Sequence, residues 1–233
     1  MNDTLMTHSI SASTKNNAAK FSHNSLQGHF HSLAEIAYAA DANMIRWSMT
    51  VGTLMDSNSV AARYGASNIL KKPINSVGVV VNSNNNFLVI SDMHIPYHHP
   101  DAFDFLEAVA YTYDCKTILN VGDIVDNHSG SYHESEPDAL SAEDEYAQTI
   151  KYCQELQSIF PKMVISVGNH DLITQRKLKT CGLPASLARD YNQLYELKDT
   201  WEWRDKYFFD SKGGQPILVP MVLNKKGRWN GKV

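Results

Sequence analysis

From residue 77 the chain alternates between short apolar runs and longer amphipathic segments. The apolar runs are bounded by turn-forming residues, which is typical of buried strands. The amphipathic segments begin with helix-start signals, Pro100 in one and the pair Ser141 and Asp144 in the other. This order predicts an α/β fold in which a parallel sheet is built from right-handed βαβ crossovers. Strands are predicted at 77–81, 87–91, 117–123 and 163–168, and helices at 100–113 and 141–160.

The part of the chain before residue 77 shows a different pattern. Residues 1–30 are rich in Ser, Asn, Thr and Lys and predict a flexible tail. Between residues 31 and 75 the apolar residues recur at helical spacing, which predicts a small helical element. Its segment "VAARYGAS" (60–67) resembles the start of a helix-turn-helix unit, although Pro73 interrupts the part that would enter a DNA groove. The favoured alternative is a helical bundle that packs on the main domain or on another subunit.

Four histidines lie in or beside this tail. Their spacing is irregular, so we expect solvated surface positions rather than metal ligands. They are His8, His23, His29 and His31.

Each of the three later predicted strands ends in residues that can bind metals or transfer protons. In open parallel sheets such strand ends meet at one edge, where ligands bind. A single Asp after a strand is usually a cap or a turn residue, but capping does not explain three such strand ends in succession. The groups are Asp92 and His94, then Asp123 and Asp126, then Asn169, His170 and Asp171.

Aspartate, histidine and asparagine without sulfur suit Mn²⁺, Fe²⁺ or Zn²⁺ better than Ca²⁺. Asp92 and His94 are two positions apart on an extended strand end and can face one ion. Asp123 can bridge to a second ion, to which Asn169 offers a neutral amide oxygen. Two ions about 3.5–4 Å apart can clamp a phosphoryl group and activate a hydroxide.

His170 is the candidate catalytic imidazole, because it can protonate a leaving oxygen without being a ligand. Asp171 is expected to hold its ring in the required tautomer. Asp126 is expected to orient the metal ligands without binding a metal itself. His128 and His133 lie on a polar loop and are either solvated or in contact with the substrate phosphate.

At these residues the sequence resembles the calcineurin-like metallophosphoesterases. The family pattern is D-x-H, G-D-x-x-D and G-N-H-[DE], and the chain has "DMH" at 92–94, "GDIVD" at 122–126 and "GNHD" at 168–171. The resemblance implies a β-sandwich flanked by helices (αββα) over residues 76–220, followed by a basic C-terminal tail at 221–233. It implies that Asp92 and His94 bind the first metal, Asp123 bridges, Asn169 binds the second and His170 is catalytic. The chain also resembles, more weakly, family members encoded by phages and prophages.

The resemblance also implies further metal ligands after His170, and this chain lacks them there. The family supplies a histidine on a later strand and then a G-H-x-H pair, whereas this chain has no histidine after His170. We therefore expect a fold that is incomplete at its C-terminus and a weak second metal site. Three explanations stay open: a slow or inactive family member, ligands from another subunit, or a scaffold kept for binding. Apolar surface left by an incomplete sheet would favour self-association.

Composition narrows the class further. The formal net charge is −4, no apolar run is long enough for a membrane helix, and no export signal is evident. Three widely spaced cysteines fit reduced thiols, so we expect a cytoplasmic protein, in the host cytoplasm if it is phage-encoded.

Two classes of function follow. The first is a phosphodiesterase or nuclease that uses two divalent ions, with Mn²⁺ favoured over Fe²⁺ or Zn²⁺, and acts on a phosphoester such as DNA. The second is a degenerate phosphoesterase fold with a binding or assembly role. A phosphomonoesterase acting on proteins or small molecules is a further alternative.

Overall fold

A computed structural model of the protein describes residues 4–42, 44–66, 72–83, 85–131 and 138–233. Its strands are β1 (Thr4–Met6), β2 (Asn24–Gln27), β3 (Glu35–Ala40), β4 (Ile45–Thr50), β5 (Ser76–Val81), β6 (Asn86–Ile90), β7 (Cys115–Asn120), β8 (Met163–Ser166), β9 (Trp201–Arg204), β10 (Tyr207–Phe209) and β11 (Gln215–Pro220). Its helices are α1 (Thr14–Lys20), α2 (Val60–Ala66), α3 (Ala102–Thr112), α4 (Ala142–Ile159), α5 (Ile173–Thr180) and α6 (Tyr191–Leu194).

The strands form two mixed sheets that pack face to face. One sheet has the order β11-β5-β6-β7-β8-β9 and the other β10-β1-β2-β4-β3. Met49 of β4 and Val89 of β6 are fully buried in the apolar layer between them. A second apolar core lies between the larger sheet and α3 and α4, where Leu106 and Leu156 are fully buried, and α1 packs on the outer face of the smaller sheet. The layers therefore follow the order αββα, as predicted.

The prediction for the later part of the chain is confirmed. Strands β6, β7 and β8 are parallel neighbours, and α3 and α4 connect them in turn. Strand β5 is antiparallel to β6. No helix in the described part of the chain is both long enough and apolar enough to span a membrane.

The helical prediction for residues 31–75 is wrong over most of its length. Residues 35–40 and 45–50 form the antiparallel strands β3 and β4, in which Tyr38 lies opposite Trp47. The misleading spacing arises because both faces of β4 are covered. Trp47 and Met49 face the sandwich core, while Thr50 on the other face lies 2.7 Å from Thr14 of α1, hydroxyl oxygen to hydroxyl oxygen. Burial on both faces hides the alternation that reveals a strand. Only α2 is helical there, and the expected DNA-recognition segment from Asn68 lies partly outside the described residues.

The prediction of a flexible tail at residues 1–30 is also wrong. This segment supplies β1, α1 and β2, and β1 lies between β2 and β10 in the smaller sheet. Its polar side chains satisfy one another inside the protein. The buried Gln27 amide donates to the Ser11 carbonyl and the Thr50 hydroxyl and accepts from the Ile10 amide. The N-terminal segment therefore forms the part of the sandwich that was expected to be lacking.

The basic segment at residues 221–233 folds back on the start of α3. The Arg228 guanidinium and the Trp229 backbone amide both donate to the Asp101 carboxylate, with Nε of Arg228 2.8 and 2.9 Å from its two oxygens. The Trp229 ring lies edge-on to Phe105, with ring centroids 5.6 Å apart. These contacts hold the segment after β11 against α3.

This ion pair makes a pH-dependent contribution to stability. Hydrogen bonds from Arg228 lower the pKa of Asp101 to about 2, below the value of about 3.9 in unfolded chains. The contribution is therefore complete above about pH 4 and is lost as the pH falls towards 2. We expect Arg228→Ala to lower the melting temperature at pH 7, and the difference from wild type to shrink between pH 4 and pH 2. Thermal unfolding at several pH values measures this.

Lys226→Ala is the matched control. It removes a positive charge from the same turn, but the hydrogen bonds from the guanidinium to Asp101 belong to Arg228 and stay in place. It is expected to leave the melting temperature nearly unchanged across the range. A difference between wild type and Arg228→Ala that stays constant down to pH 2 would contradict the assignment.

Candidate metal centre

The three strand ends named from the sequence meet at one edge of the larger sheet. Backbone hydrogen bonds join the first two loops, from Asp92 to Gly122 and from His94 to Asp123. The third loop joins them through the His170 amide, which donates to the Asp123 carboxylate at 2.8 Å. The site carboxylates and His94 are almost fully buried, with exposures of 0–1%.

Three histidines of the N-terminal segment lie in the same place. His8 Nε2 is 3.1 Å from an Asp123 carboxylate oxygen and 3.1 Å from the Asn169 amide oxygen. His31 Nε2 is 3.1 Å from the Asp92 carboxylate, and His29 Nδ1 is 3.2 Å from His8 Nε2. The expectation of a solvated surface position is therefore wrong for His8, which is buried. His31 is partly buried, and His29 is exposed although its ring reaches this group. The fourth, His23, packs against Phe21 and Phe208 instead.

The topology explains how these distant residues meet. His8 follows β1, and His29 and His31 follow β2, and these two strands are parallel. Their carboxyl ends therefore lie at one end of the smaller sheet, which the sandwich packing aligns with the ends of β6, β7 and β8. His8 Nδ1 donates to the Val121 carbonyl at 2.8 Å. This bond turns its Nε2 towards Asp123, as a metal-binding imidazole requires.

The described side chains form three groups of candidate ligands. One of them consists of His94, Asp126 and His170, and the other two lie around Asp92 and Asp123. In the group around Asp92, ligand atoms of His31, Asp92 and His94 lie within 4.8 Å of one another. In the group around Asp123, the same holds for His8, His29 and Asp123, and Asn169 adds its amide oxygen. Both groups combine oxygen and imidazole nitrogen donors without sulfur, a set that suits Mn²⁺, Fe²⁺ or Zn²⁺. The residues present therefore fit two divalent cations.

Buried charges dominate the electrostatics of the site. Burial opposes a charge on His8, but the neighbouring Asp123 carboxylate raises the pKa of His8 to about 10. Burial likewise opposes a charge on Asp123 and Asp92, yet His8 and His31 respectively hold the pKa of these carboxyl groups below the usual range. The centre thus keeps Asp92 and Asp123 ionised, and His8 must give up its proton before its Nε2 can bind a cation.

The backbone at this centre is held in conformations that are uncommon outside glycine. His29, Asp92, His94 and Asp123 have φ angles of 68°, 47°, 53° and 50°. Such conformations cost about 1–3 kcal/mol each and cluster at ligand sites. Glycines provide the close approaches between loops: a Cβ at Gly28 would lie 2.3 Å from an Asp92 carboxylate oxygen.

Asp126 orients two imidazole rings through their Nδ1 atoms. Its carboxylate lies 2.5 Å from His94 Nδ1, which directs His94 Nε2 towards Asp92 and His31. Its backbone carbonyl accepts from His170 Nδ1 at 2.8 Å. Because a carbonyl can only accept, the titrating nitrogen of His170 is Nε2. Burial would lower the pKa of His170, but Asp123 and Asp126 outweigh it and raise the pKa.

Asp171 has a different position from the one expected. Its fully buried carboxylate accepts from the backbone amides of Gly168, Asp123 and Val125. Burial, and next the charge of Asp123, raise the pKa of Asp171 to about 7. The carboxylate therefore ties the third loop to the second, and the Asp126 carbonyl takes the ring-orienting position that was expected of Asp171.

The two loop histidines were expected above the strand ends. His128 is buried rather than solvated, in a single 3-10 turn (His128–Gly130), with Nδ1 3.7 Å from the Asp126 carboxylate. His133 lies outside the described residues.

An αββα sandwich with paired groups of oxygen and nitrogen ligands at its strand ends is the architecture of a metallophosphoesterase. The family model described as calcineurin-like phosphoesterase matches residues 86–230, more than half of the chain, and the protein belongs to this family. No curated protein and no solved structure gives a significant match. The matched region begins after His8, His29 and His31, which lie outside it.

The sequence contained a signal for two of these residues. "GHFH" at 28–31 has the form G-H-x-H, the pair that was expected after "GNHD", but in this chain it stands before "DMH". His8, two residues after the end of β1, lies in no such motif.

Proposed function

We propose that this protein is a two-metal phosphoesterase that hydrolyses phosphodiester bonds, with nucleic acid as the expected substrate class. The completed ligand set carries the proposal. The sequence alone indicated only Asp123 and Asn169 as ligands of the second metal. In the structure His8 and His29 lie beside them. The same geometry supplies all candidate ligands from one chain, which favours an active enzyme over a degenerate scaffold.

Each residue has a proposed role. Asp92, His94 and His31 would hold one cation, and His8, His29 and Asn169 the other, and Asp123 would be shared by the two sites. When bound, two divalent cations polarise the phosphoryl group and lower the pKa of water. His170 holds a proton on Nε2 and gives it to the leaving oxygen. Asp126 keeps both His94 and His170 in their working orientation.

The decisive experiment measures hydrolysis of bis-p-nitrophenyl phosphate with and without added Mn²⁺. Wild type is expected to be stimulated by Mn²⁺ and silenced by a chelator, and Asp123→Ala to retain only background hydrolysis. Asp104→Ala is the matched control, because Asp104 is an exposed aspartate on α3. Equal rates for wild type and Asp123→Ala would refute the proposal.

The substrate class is tested with the same proteins. We expect faster Mn²⁺-dependent turnover of bis-p-nitrophenyl phosphate and of an end-labelled DNA duplex than of p-nitrophenyl phosphate. Turnover of the monoester alone would favour a phosphomonoesterase. Fe²⁺ and Zn²⁺ replace Mn²⁺ in parallel assays to define the metal preference.

A further inference from the structure

Glu145 is a buried carboxylate outside the candidate ligand groups of the described residues. It lies in the first turn of α4 and is 2% exposed. Its two oxygens accept from consecutive backbone amides of the 3-10 turn at His128–Gly130, from His128 at 2.5 Å and from Ser129 at 2.8 Å. A buried carboxylate is costly unless hydrogen bonds satisfy it, and bonds to both of its oxygens also fix the position of the turn. Glu145 therefore anchors this turn to α4.

The anchored turn directly follows the two residues that hold His170. The Asp126 carbonyl accepts from His170 Nδ1 at 2.8 Å. The Asn127 side-chain amide donates to the His170 backbone carbonyl at 3.1 Å. Asn127 has a φ of 53°, in the left-handed region, and such a conformation persists where the surrounding contacts hold it. The bonds to Glu145 begin at the next residue and supply such a contact.

The two sides of Asp126 are held in different ways. Its backbone amide donates to the Ile95 carbonyl at 3.0 Å, so its N-terminal side is fixed by the first loop. The direction of its own carbonyl depends on the residues that follow it. A shift of the turn is therefore expected to disturb the bond to His170 Nδ1 more than the position of the metal ligands.

We propose that Glu145 is a positioning residue for the proton donor: by anchoring the turn at His128–Gly130, it holds Asp126 and Asn127 where they orient His170. The inference rests on the proposed function, because the role of His170 gives this orientation its effect on the rate. A displacement of about 1 Å caused by a change far from the reacting atoms can cost roughly 100-fold in rate. Glu145 itself touches neither the substrate nor a metal, and its effect is expected to appear in proton transfer to the leaving oxygen.

The test compares Glu145→Gln with Glu143→Gln. In the first variant one acceptor oxygen becomes an NH₂ group, which cannot accept from a backbone amide. Glu143 is the matched control, because it is exposed in the same turn of α4. We expect Glu145→Gln to lower kcat by roughly 10- to 100-fold for a phosphodiester with an alkyl leaving group, and much less for bis-p-nitrophenyl phosphate. Its metal content is expected to equal that of wild type, and Glu143→Gln is expected to match wild type throughout.

A double variant distinguishes positioning from a general loss of structure. If Glu145 acts through His170, Glu145→Gln combined with His170→Gln is expected to be about as slow as His170→Gln alone, because residues that act as a unit are not additive. A loss that multiplies in the double variant would overturn the inference. An equal loss for alkyl and p-nitrophenyl esters in Glu145→Gln would overturn it as well.

Hydrogen–deuterium exchange provides a readout that does not depend on activity. Backbone amides of residues 126–130 are expected to exchange faster in Glu145→Gln than in wild type and Glu143→Gln, and equal exchange in all three would overturn the inference. Asn127→Gly removes the side-chain bond to His170 and suits the positive φ. It is expected to show the same dependence on the leaving group, which covers the case that Glu145→Gln misfolds. A wild type that hydrolyses no ester but shows the faster exchange in Glu145→Gln would refute the proposed function and retain Glu145 as the anchor of the turn.

Discussion

Replacement of His8 by alanine is expected to reduce Mn²⁺-dependent hydrolysis about 100-fold or more, since even the loss of a partner that only supports a metal ligand costs 10–100-fold. His8 Nε2 lies 3.1 Å from both the Asp123 carboxylate and the Asn169 amide oxygen, so it belongs to the ligand group around Asp123. The variant is expected to bind one metal ion per chain where wild type binds two. Steady-state kinetics and metal analysis of the same preparations measure both effects.

His23→Ala is the matched control for this variant. His23 lies in the same N-terminal segment but packs on Phe21 and Phe208, away from the ligand groups. Its removal is expected to leave the metal content and the rate near those of wild type. His8→Gln, which keeps a side chain near the Val121 carbonyl, separates loss of a ligand from loss of packing. Unchanged metal content in both His8 variants would refute the assignment of the N-terminal histidines to the metal centre.

For a phosphodiester with a poor leaving group, replacement of His170 by glutamine is expected to lower kcat by roughly 100- to 10,000-fold, the range typical of a general acid, while both metals stay bound. His170 Nδ1 is engaged by the Asp126 carbonyl, so the ring acts through Nε2. The ligand groups around Asp92 and Asp123 are complete without it. The loss is expected to be small for an ester with a good leaving group, such as p-nitrophenol, and large for one with a poor leaving group, such as an alkyl alcohol. Parallel kinetics with the two kinds of ester measure the difference.

The His8 and His170 variants are expected to differ in their metal content. The His8 variants are expected to lose both metal and activity, and the His170 variant to lose activity alone. If His170→Gln lowered the rate equally for good and poor leaving groups, the proton-donor role would be wrong. If it lost metal, His170 would instead contribute to the ligand set.

The geometry also bears on the explanations that the sequence left open. A shortened chain and ligands from another subunit were invoked because no histidine follows His170. His8, His29 and His31 stand at the site within the same chain, so neither explanation is needed to complete the ligand groups.

The sequence by itself determined four strands of the larger sheet, β5 to β8, and the residues at the ends of the last three. Strands β6, β7 and β8 are buried, their connections are helical, and their motifs directly follow them. Local pattern therefore predicted both the elements and their common edge. Asp92, His94, Asp123, Asn169 and His170 could be named because parallel strands linked by right-handed crossovers can place their carboxyl ends only at one edge.

Only the tertiary structure brought His8, His29 and His31 to the metal centre. His8 and Asp123 are far apart in the chain, and their contact depends on the packing of one sheet on another. No local pattern specifies that packing. Strands β1 and β2, which precede His8, His29 and His31, were not recognised because polar residues of this segment bond to one another in the interior. Strand β4 was missed because both of its faces are covered. A short polar strand and a polar tail look alike in sequence, and burial of their hydrogen bonds distinguishes them only once the chain has folded.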